Sequence, residues 1–269
     1  MRAISELLIH FLGKDFKNEP SKQLEIFQSI INDGLRCSRI DVKFGFEGCI
    51  YGNAVCFTDI PLNFCDEHTA FYGKFGIAFT KAFVKNAGGN PANYFVDYAP
   101  SMTNSDDIVE NRGLLYMTAT NLFKNLMTMN EHIKKDNFEG IFDHEGKIAY
   151  SKDDYESFAN HLQQFLTFMK PMGDLGPARD GSDQIDQYYK EREWRIVPYV
   201  GSIMSGRAVI SPEEHIYYKF KRRDVKLIIV PNNEIRKQVL EWFASYEIDD
   251  VEYAEDPPPV LVYDDLSCF

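Results

Sequence analysis

No apolar run in this chain approaches the ~20 residues that a membrane-spanning helix needs. Positive charge is also scarce: 29 Lys and Arg stand against 41 Asp and Glu, a formal net charge of −12. A general nucleic-acid binder normally carries a basic stripe that neutralises phosphates. The one dense basic run, Lys219-Phe220-Lys221-Arg222-Arg223, reads as a solvated turn before a strand. The acidic balance suits a basic protein partner or none. The five cysteines (Cys37, Cys49, Cys56, Cys65, Cys268) are odd in number and match no disulfide scaffold. Leu7-Leu8-Ile9 is flanked by Glu6 and His10, too short and too polar for a secretory segment. These features lead us to expect a soluble protein of the reducing cytoplasm.

Several catalytic signatures are missing as well. No Gly-rich loop ends in Gly-Lys-Ser/Thr, no Gly-x-Gly-x-x-Gly follows a strand, and neither His-Glu-x-x-His nor Gly-x-Ser-x-Gly occurs. Their absence argues against P-loop NTPases, Rossmann dehydrogenases, zincins and α/β-hydrolases. Cys65-Asp66-Glu67-His68, with Cys49 and Cys56 upstream, holds metal-ligating types, but the spacing fits no known zinc ribbon or finger, and small buried cysteines account for it. No metal is therefore expected. Asp41-Val42-Lys43 and Asp224-Val225-Lys226 match the short nuclease pattern of a carboxylate and a lysine. Two such matches are close to chance in an acidic protein.

What is present is ordinary globular material, 44% hydrophobic and 26% charged, with 21 Phe and 15 Tyr among 269 residues. A chain of this length can bury a sizeable core without disulfides. Leu7 to Phe11 reads as a strand. Leu24, Phe27, Ile30 and Ile31 follow at helical spacing, with Ser21 as N-cap and Gly34 as C-cap. Gly45 to Asn53 reads as irregular, Ala54 to Phe57 and Phe75 to Phe79 as strands, and Asp66 to Tyr72 as a short helix. Tyr94 to Tyr98 reads as a further strand. Leu115, Ala119, Leu122, Leu126 and Met129 share one helical face. Tyr155, Phe158, Leu162, Phe165, Leu166 and Met169 share another, with Pro171 closing that helix. Asn137 to Ala149 reads as a hairpin or an irregular insert, and Gly173 to Ser182 as a loop. Trp194 to Tyr199 and Lys226 to Val230 read as strands, and Asn232 caps a helix through Trp242. The order predicts an α+β protein with helices packed on a mixed β-sheet, one domain over 1–269 with a helical insertion at about 112–172.

Within Glu191-Arg192-Glu193-Trp194-Arg195-Ile196, strand alternation places Glu191, Glu193 and Arg195 on one face and Trp194 and Ile196 on the core face. A carboxylate and a guanidinium facing one cleft suit a ligand with hydroxyls and phosphate. The bland alternative is a solvated edge strand. His10 interrupts an apolar strand, and a core histidine bonded to a backbone carbonyl explains it equally well. Tyr72 precedes Gly73, with His68 one helical turn before it, and plain core packing is its ordinary role.

A His on an early strand, a Tyr after a short helix and a Glu on a late strand resemble the ADP-ribosyltransferase superfamily, in whose diphtheria-toxin-like branch these types hold NAD. The resemblance implies that His10 bonds the ribose, Tyr72 stacks on nicotinamide, and Glu193 stabilises the oxocarbenium-like charge as the glycosidic bond breaks. It assigns Arg195 to the pyrophosphate and pairs Glu191 with Glu193. His10, Tyr72, Glu193 and Arg195 should then line one pocket.

The chain resembles the AbiGi family more closely. The residues that carry the likeness are His10-Phe11, Gly34-Leu35, Cys56 to Pro61, Tyr72 to Ile77, Glu191 to Arg195 and Ile228 to Asn232. That family is described as the antitoxin of an abortive phage-resistance pair. The resemblance implies a phage-defence protein with a partner toxin or a phage-derived partner. It leaves open whether the chain uses NAD or only binds.

Overall fold

The structure, a computed structural model, describes residues 6–44, 48–95, 114–135, 138–171, 191–245 and 256–268. The chain forms two compact units. One comprises Met1–Ser38, Ala54–Pro91 and Glu191–Phe269, and the other Arg39–Asn53 and Ala92–Lys190. The elements, in chain order, are β1 (Leu7–Phe11), α1 (Pro20–Asp33), β2 (Leu35–Arg36), β3 (Ser38–Lys43), β4 (Cys49–Thr58) and α2 (Asp66–Tyr72). Next come β5 (Gly76–Thr80), α3 (Lys81–Asn86), β6 (Asn90–Pro91), β7 (Asn93–Phe95), α4 (Leu114–Ile133), β8 (Gly140–Phe142) and β9 (Ile148–Ser151). Then follow α5 (Lys152–Thr167), β10 (Met169–Pro171), β11 (Glu193–Ile196), α6 (Val200–Met204), β12 (Ala208–Ile210) and β13 (Ile216–Tyr218). The last are β14 (Val225–Val230), α7 (Asn233–Ala244) and β15 (Val260–Val262). The fold is mixed α+β. No helix among the described residues is long and apolar enough to cross a membrane.

The first unit is built on a sheet in the order β15-β14-β5-β1-β4-β11-β6, antiparallel except for the β14–β15 pair. Alternation along its strands sorts side chains between two cores. Leu8, Phe57, Ile77, Phe79, Ile196 and Ile228 face one side, where they meet Phe27 and Ile31 of α1, Val84 of α3 and Val239 and Phe243 of α7. Ile9, Ala78 and Ile229 face the other and meet Cys65 and Tyr263. Gly34 ends α1 at φ 99°, and its amide donates to the Ile30 carbonyl; a Cβ there would meet the Tyr218 carbonyl oxygen at 2.6 Å. Pro20 rather than Ser21 opens α1, which suits proline's fixed φ and missing donor at a first helical position. Asn232 caps α7 as expected, its Oδ1 accepting from the Ile235 amide at 2.9 Å.

The second unit packs α4 and α5 with β3 and the start of β4. Phe44 stacks on Phe95 and Phe123 at centroid distances of 6.0 and 5.2 Å. Val42, Ile50, Leu126, Leu162 and Leu166 complete this core. Two helical faces differ from expectation. On α4, Leu115 is exposed, and Tyr116 and Phe123 are buried with Ala119, Leu126 and Met129. On α5, Phe158 and Phe165 point outward while Ala159, Leu162 and Leu166 are buried. The stripe is narrower than a simple count of apolar residues suggested. Met169 and Pro171 belong to β10, which pairs with β7, so the helix closes at Phe168, before the proline. The segment expected to be irregular, Gly45 to Asn53, contains the start of β4. The β8–β9 hairpin, Gly140 to Ser151, overlaps the segment expected as a hairpin or an irregular insert at Asn137 to Ala149. The expected strand at Tyr94 to Tyr98 is observed as β7 up to Phe95; its remainder and the loop at Gly173 to Ser182 lie outside the described residues.

Candidate functional site

The charged strand β11 is internal, paired to β4 on one side and β6 on the other. Its register sets Glu193 opposite Thr58 and Arg195 opposite Cys56, with Trp194 and Ile196 opposite Phe57 and Val55. Glu193 and Arg195 therefore share a face, as the alternation predicts. Burial is the reverse of a solvated polar face. Glu193 and Arg195 are 8% and 5% exposed, whereas Trp194 is only half-buried against the main core. The two charged residues form a bidentate pair. Arg195 Nε donates to Glu193 Oε1 at 2.7 Å and Nη2 donates to Oε2 at 3.2 Å. Charge-assisted, two-point geometry of this kind compensates the desolvation of both ions.

Glu191 reaches the same region by a different route. β11 begins at Glu193, and Arg192 lies in the left-handed region at φ 45°. A left-handed residue breaks alternation, so Glu191 is placed by a turn and not by the strand. Its backbone carbonyl accepts from the Thr58 hydroxyl at 2.7 Å, and its carboxylate accepts from the Tyr72 hydroxyl at 3.4 Å. Tyr72 in turn stacks on His68 at 4.4 Å, and His68 contacts Phe11 at 5.1 Å. The helical spacing of His68 and Tyr72 produces this stack. Phe11 alternates with His10 and so lies on the same sheet face as Ile9, the partner of Thr58. Tyr72, Glu191, Glu193 and Arg195 thus gather on one side of the sheet.

His10 does not join them. Its register opposite Ile77 places it on the main-core face with Leu8 and Phe57, its ring 5.8 Å from Phe57. Ile9 pairs with Thr58, and Thr58 with Glu193, so consecutive residues of β1 send Ile9 to the face of Glu193 and His10 to the opposite one. The Nδ1–H donates to the Cys56 carbonyl at 2.8 Å, which fixes Nε2 as the unprotonated nitrogen of the neutral ring. Burial pushes its pKa below the ordinary value, opposed in part by that bond. His10 is a satisfied, neutral histidine of the sheet. The register thus sets His10 on the opposite face of the sheet from Tyr72, Glu193 and Arg195, with which it was expected to line one pocket.

Two residues near the charged strand carried no expected role. Lys81 Nζ lies 2.9 Å from the carboxylate of the buried Asp59, whose backbone amide donates to the Arg192 carbonyl at 3.1 Å. Asp59 lies within the Cys56 to Pro61 segment that carries the family likeness, so a signal for it was present; Lys81 lies four residues past the Tyr72 to Ile77 segment. A separate pocket of about 430 Å³ lies between α2 and the C-terminal turn, lined by Asp66, Thr69, Lys74, Tyr263 and Asp264 among others. None of His10, Tyr72, Glu193 or Arg195 lines it. The Tyr263 hydroxyl donates to Asp66 at 2.8 Å, and Lys74 pairs with Asp264, so its polar groups are largely matched to each other. The Cys65 thiol faces the Ile60 and Pro61 carbonyls, and burial pushes its pKa up to about 12, far from a thiolate ligand. Among the described residues no group of three or more His, Cys, Asp or Glu side chains is arranged to hold a metal ion.

Comparison with known families gives a match over two thirds of the chain. Residues 52–231 fit the family described as "Putative abortive phage resistance protein AbiGi, antitoxin". The matched span includes Tyr72, Glu191, Glu193 and Arg195 and leaves out His10. No curated protein and no solved structure matches the chain.

Proposed function

The chain belongs to the AbiGi family, and on that premise we propose that it acts in phage defence as an antitoxin, a binding protein that restrains a partner toxin without chemistry of its own. One observation carries this reading: the carboxylate that a transferase would aim at a ribose is closed within the protein. Both Glu193 oxygens are engaged by the Arg195 guanidinium, 5% exposed. A carboxylate that stabilises an oxocarbenium ion must be directed at the reacting sugar. Here it serves the sheet. The acidic balance of the chain, 41 acidic against 29 basic residues, favours a basic protein partner.

A second reading has its own support. Tyr72, Glu191, Glu193 and Arg195 share one face, in the residue types of an ADP-ribosyltransferase-like fold that transfers ADP-ribose from NAD or cleaves it near a target. That reading also assigns His10 to the ribose, and the register of β1 turns His10 away.

The test is growth rescue. The chain, wild type or Glu193→Gln, is co-expressed with the growth-arresting gene of its own locus, and NAD is followed in the same cells. Equal rescue by both forms with NAD unchanged is expected. Rescue lost in a folded Glu193→Gln, together with NAD consumption by the wild type alone, transfers the case to the NAD reading. Failure of the wild type to restore growth overturns the antitoxin reading.

A further inference from the structure

The β8–β9 hairpin of the second unit is unusual for a solvated protein. Every residue from 141 to 150 is exposed. Ile141, Phe142, Ile148 and Tyr150 are 41%, 49%, 57% and 59% exposed. They form two cross-strand pairs, Ile141 with Tyr150 and Phe142 with Ile148. Ile141 and Phe142 are neighbours and point to opposite faces, and a register shift between the two pairs keeps each with its partner, so both faces of this ribbon carry apolar side chains. An isolated two-stranded ribbon is marginal in water and gains stability when a face is covered. The hairpin is nevertheless well specified at its ends. Asp143 Oδ1 accepts from the amides of Glu145 and Lys147 at 2.9 Å each, which shapes the turn. Ser151 and Asp154 form a capping box that starts α5 directly after β9. A well-specified ribbon with large exposed apolar side chains marks an interaction site.

The charges around it select the occupant. Residues 139–156 carry six carboxylates (Glu139, Asp143, Glu145, Asp153, Asp154, Glu156) and two lysines (Lys147, Lys152). A second copy would bring the same acidic segment against itself, on chains of net charge −12 each. Nucleic acid and anionic lipid are repelled for the same reason. We propose that the β8–β9 hairpin is the docking element of this protein, and that its occupant is a basic protein surface with apolar residues that cover Phe142 and Ile148. The identity of the occupant as the toxin rests on the antitoxin reading; the surface itself does not.

The experiment uses the full chain in three forms: wild type, Phe142→Ser/Ile148→Ser, and Val200→Ser/Met204→Ser. The last alters the exposed apolar residues of α6, at 68% and 83% exposure. Circular dichroism and melting first establish that all three fold alike. Fluorescence anisotropy then measures binding of a labelled amphipathic peptide of alternating Leu and Lys, and of its Glu-for-Lys counterpart. The expected result is binding of the basic peptide by the wild type and the α6 variant, at least tenfold weaker binding by the hairpin variant, and none of the acidic peptide. Affinity should fall as salt rises from ~0.05 to ~0.5 M, since screening lengths shorten from above to below 10 Å. Growth rescue of the three forms is scored in parallel. Loss in the hairpin variant alone assigns the toxin to the hairpin. If the wild type gives no rescue, the antitoxin reading falls while the peptide binding still decides the surface. Equal peptide binding by the wild type and the hairpin variant overturns the proposal. So does loss that follows α6, or a wild-type dimer in sedimentation that the hairpin substitutions dissolve.

Discussion

The first unit places Asp59, Glu191, Glu193, Arg195 and Arg222 out of solvent, whereas the second, among its described residues, buries no charged side chain and turns Ile141, Phe142, Ile148 and Tyr150 outward. The two arrangements have different costs. Buried ions must be paired and hydrogen-bonded, and in the first unit Arg195 matches Glu193, Lys81 matches Asp59, and Arg222 donates to the Val225 carbonyl. Exposed apolar side chains carry no such requirement but leave hydrophobic area unburied. Paired charged residues therefore form part of the first unit's interior, and Ile141, Phe142, Ile148 and Tyr150 part of the second's exterior. A charged residue in a sequence is thus a poor guide to where water is.

The comparison can be broken most directly at the buried pair. Arg195→Met leaves Glu193 without its bidentate partner and should cost about 3–5 kcal/mol in a urea melt. Glu193→Leu/Arg195→Met together should recover most of it, because neither ion then remains. A single-variant loss below about 1 kcal/mol means that water reaches the pair and that the first unit is not distinct.

Trp194→Ala comes next. A fully buried aromatic costs ~3–5 kcal/mol to truncate. Trp194 is half-buried, so a loss of about 2 kcal/mol is expected. A loss in the full range would place it inside the core and equalise the two faces of β11.

His10 supplies a smaller, pH-dependent term. Its folded pKa lies below the ordinary value, so the unfolded chain takes up the proton first as pH falls. Stability contributed by the neutral ring is present above about pH 6.5 and declines below it. It stops declining once the folded ring also protonates. The slope from one proton is at most about 1.4 kcal/mol per pH unit. Wild type should therefore lose stability more steeply than His10→Gln between pH 7 and 5, measured by melts at each pH. Parallel curves would mean that the ring is solvated when folded.

The smallest effect belongs to the hairpin. Phe142→Ser/Ile148→Ser removes side chains that are about half exposed, and stability should change by no more than about 0.5 kcal/mol. A loss of 2 kcal/mol would show that these residues belong to the second unit's own core.

Much of the scaffold was legible along the chain. The α1 stripe of Phe27, Ile30 and Ile31, the Gly34 C-cap, the Asn232 N-cap and the alternation of Glu193, Trp194, Arg195 and Ile196 each depend on near neighbours. The amphipathic faces of α4 and α5 were legible only in outline. Periodicity counts Phe158 and Phe165 as core because it records apolar character and cannot record what a helix packs against.

The sequence by itself determined the short-range features: caps, turns, helical stripes and the strict alternation of a strand, all set by sterics and hydrogen bonds within a few residues. It also carried the family likeness, in segments such as Cys56 to Pro61 and Glu191 to Arg195. Tertiary structure alone decided which side of the sheet each candidate residue faces relative to the others. His10 and Glu193 are 183 positions apart in number, and their relation runs through two strand pairings, Ile9 with Thr58 and Thr58 with Glu193. A shift of one residue in either register would have moved His10 to the face of Glu193. No local pattern encodes that shift, because register is fixed by the packing of both cores at once.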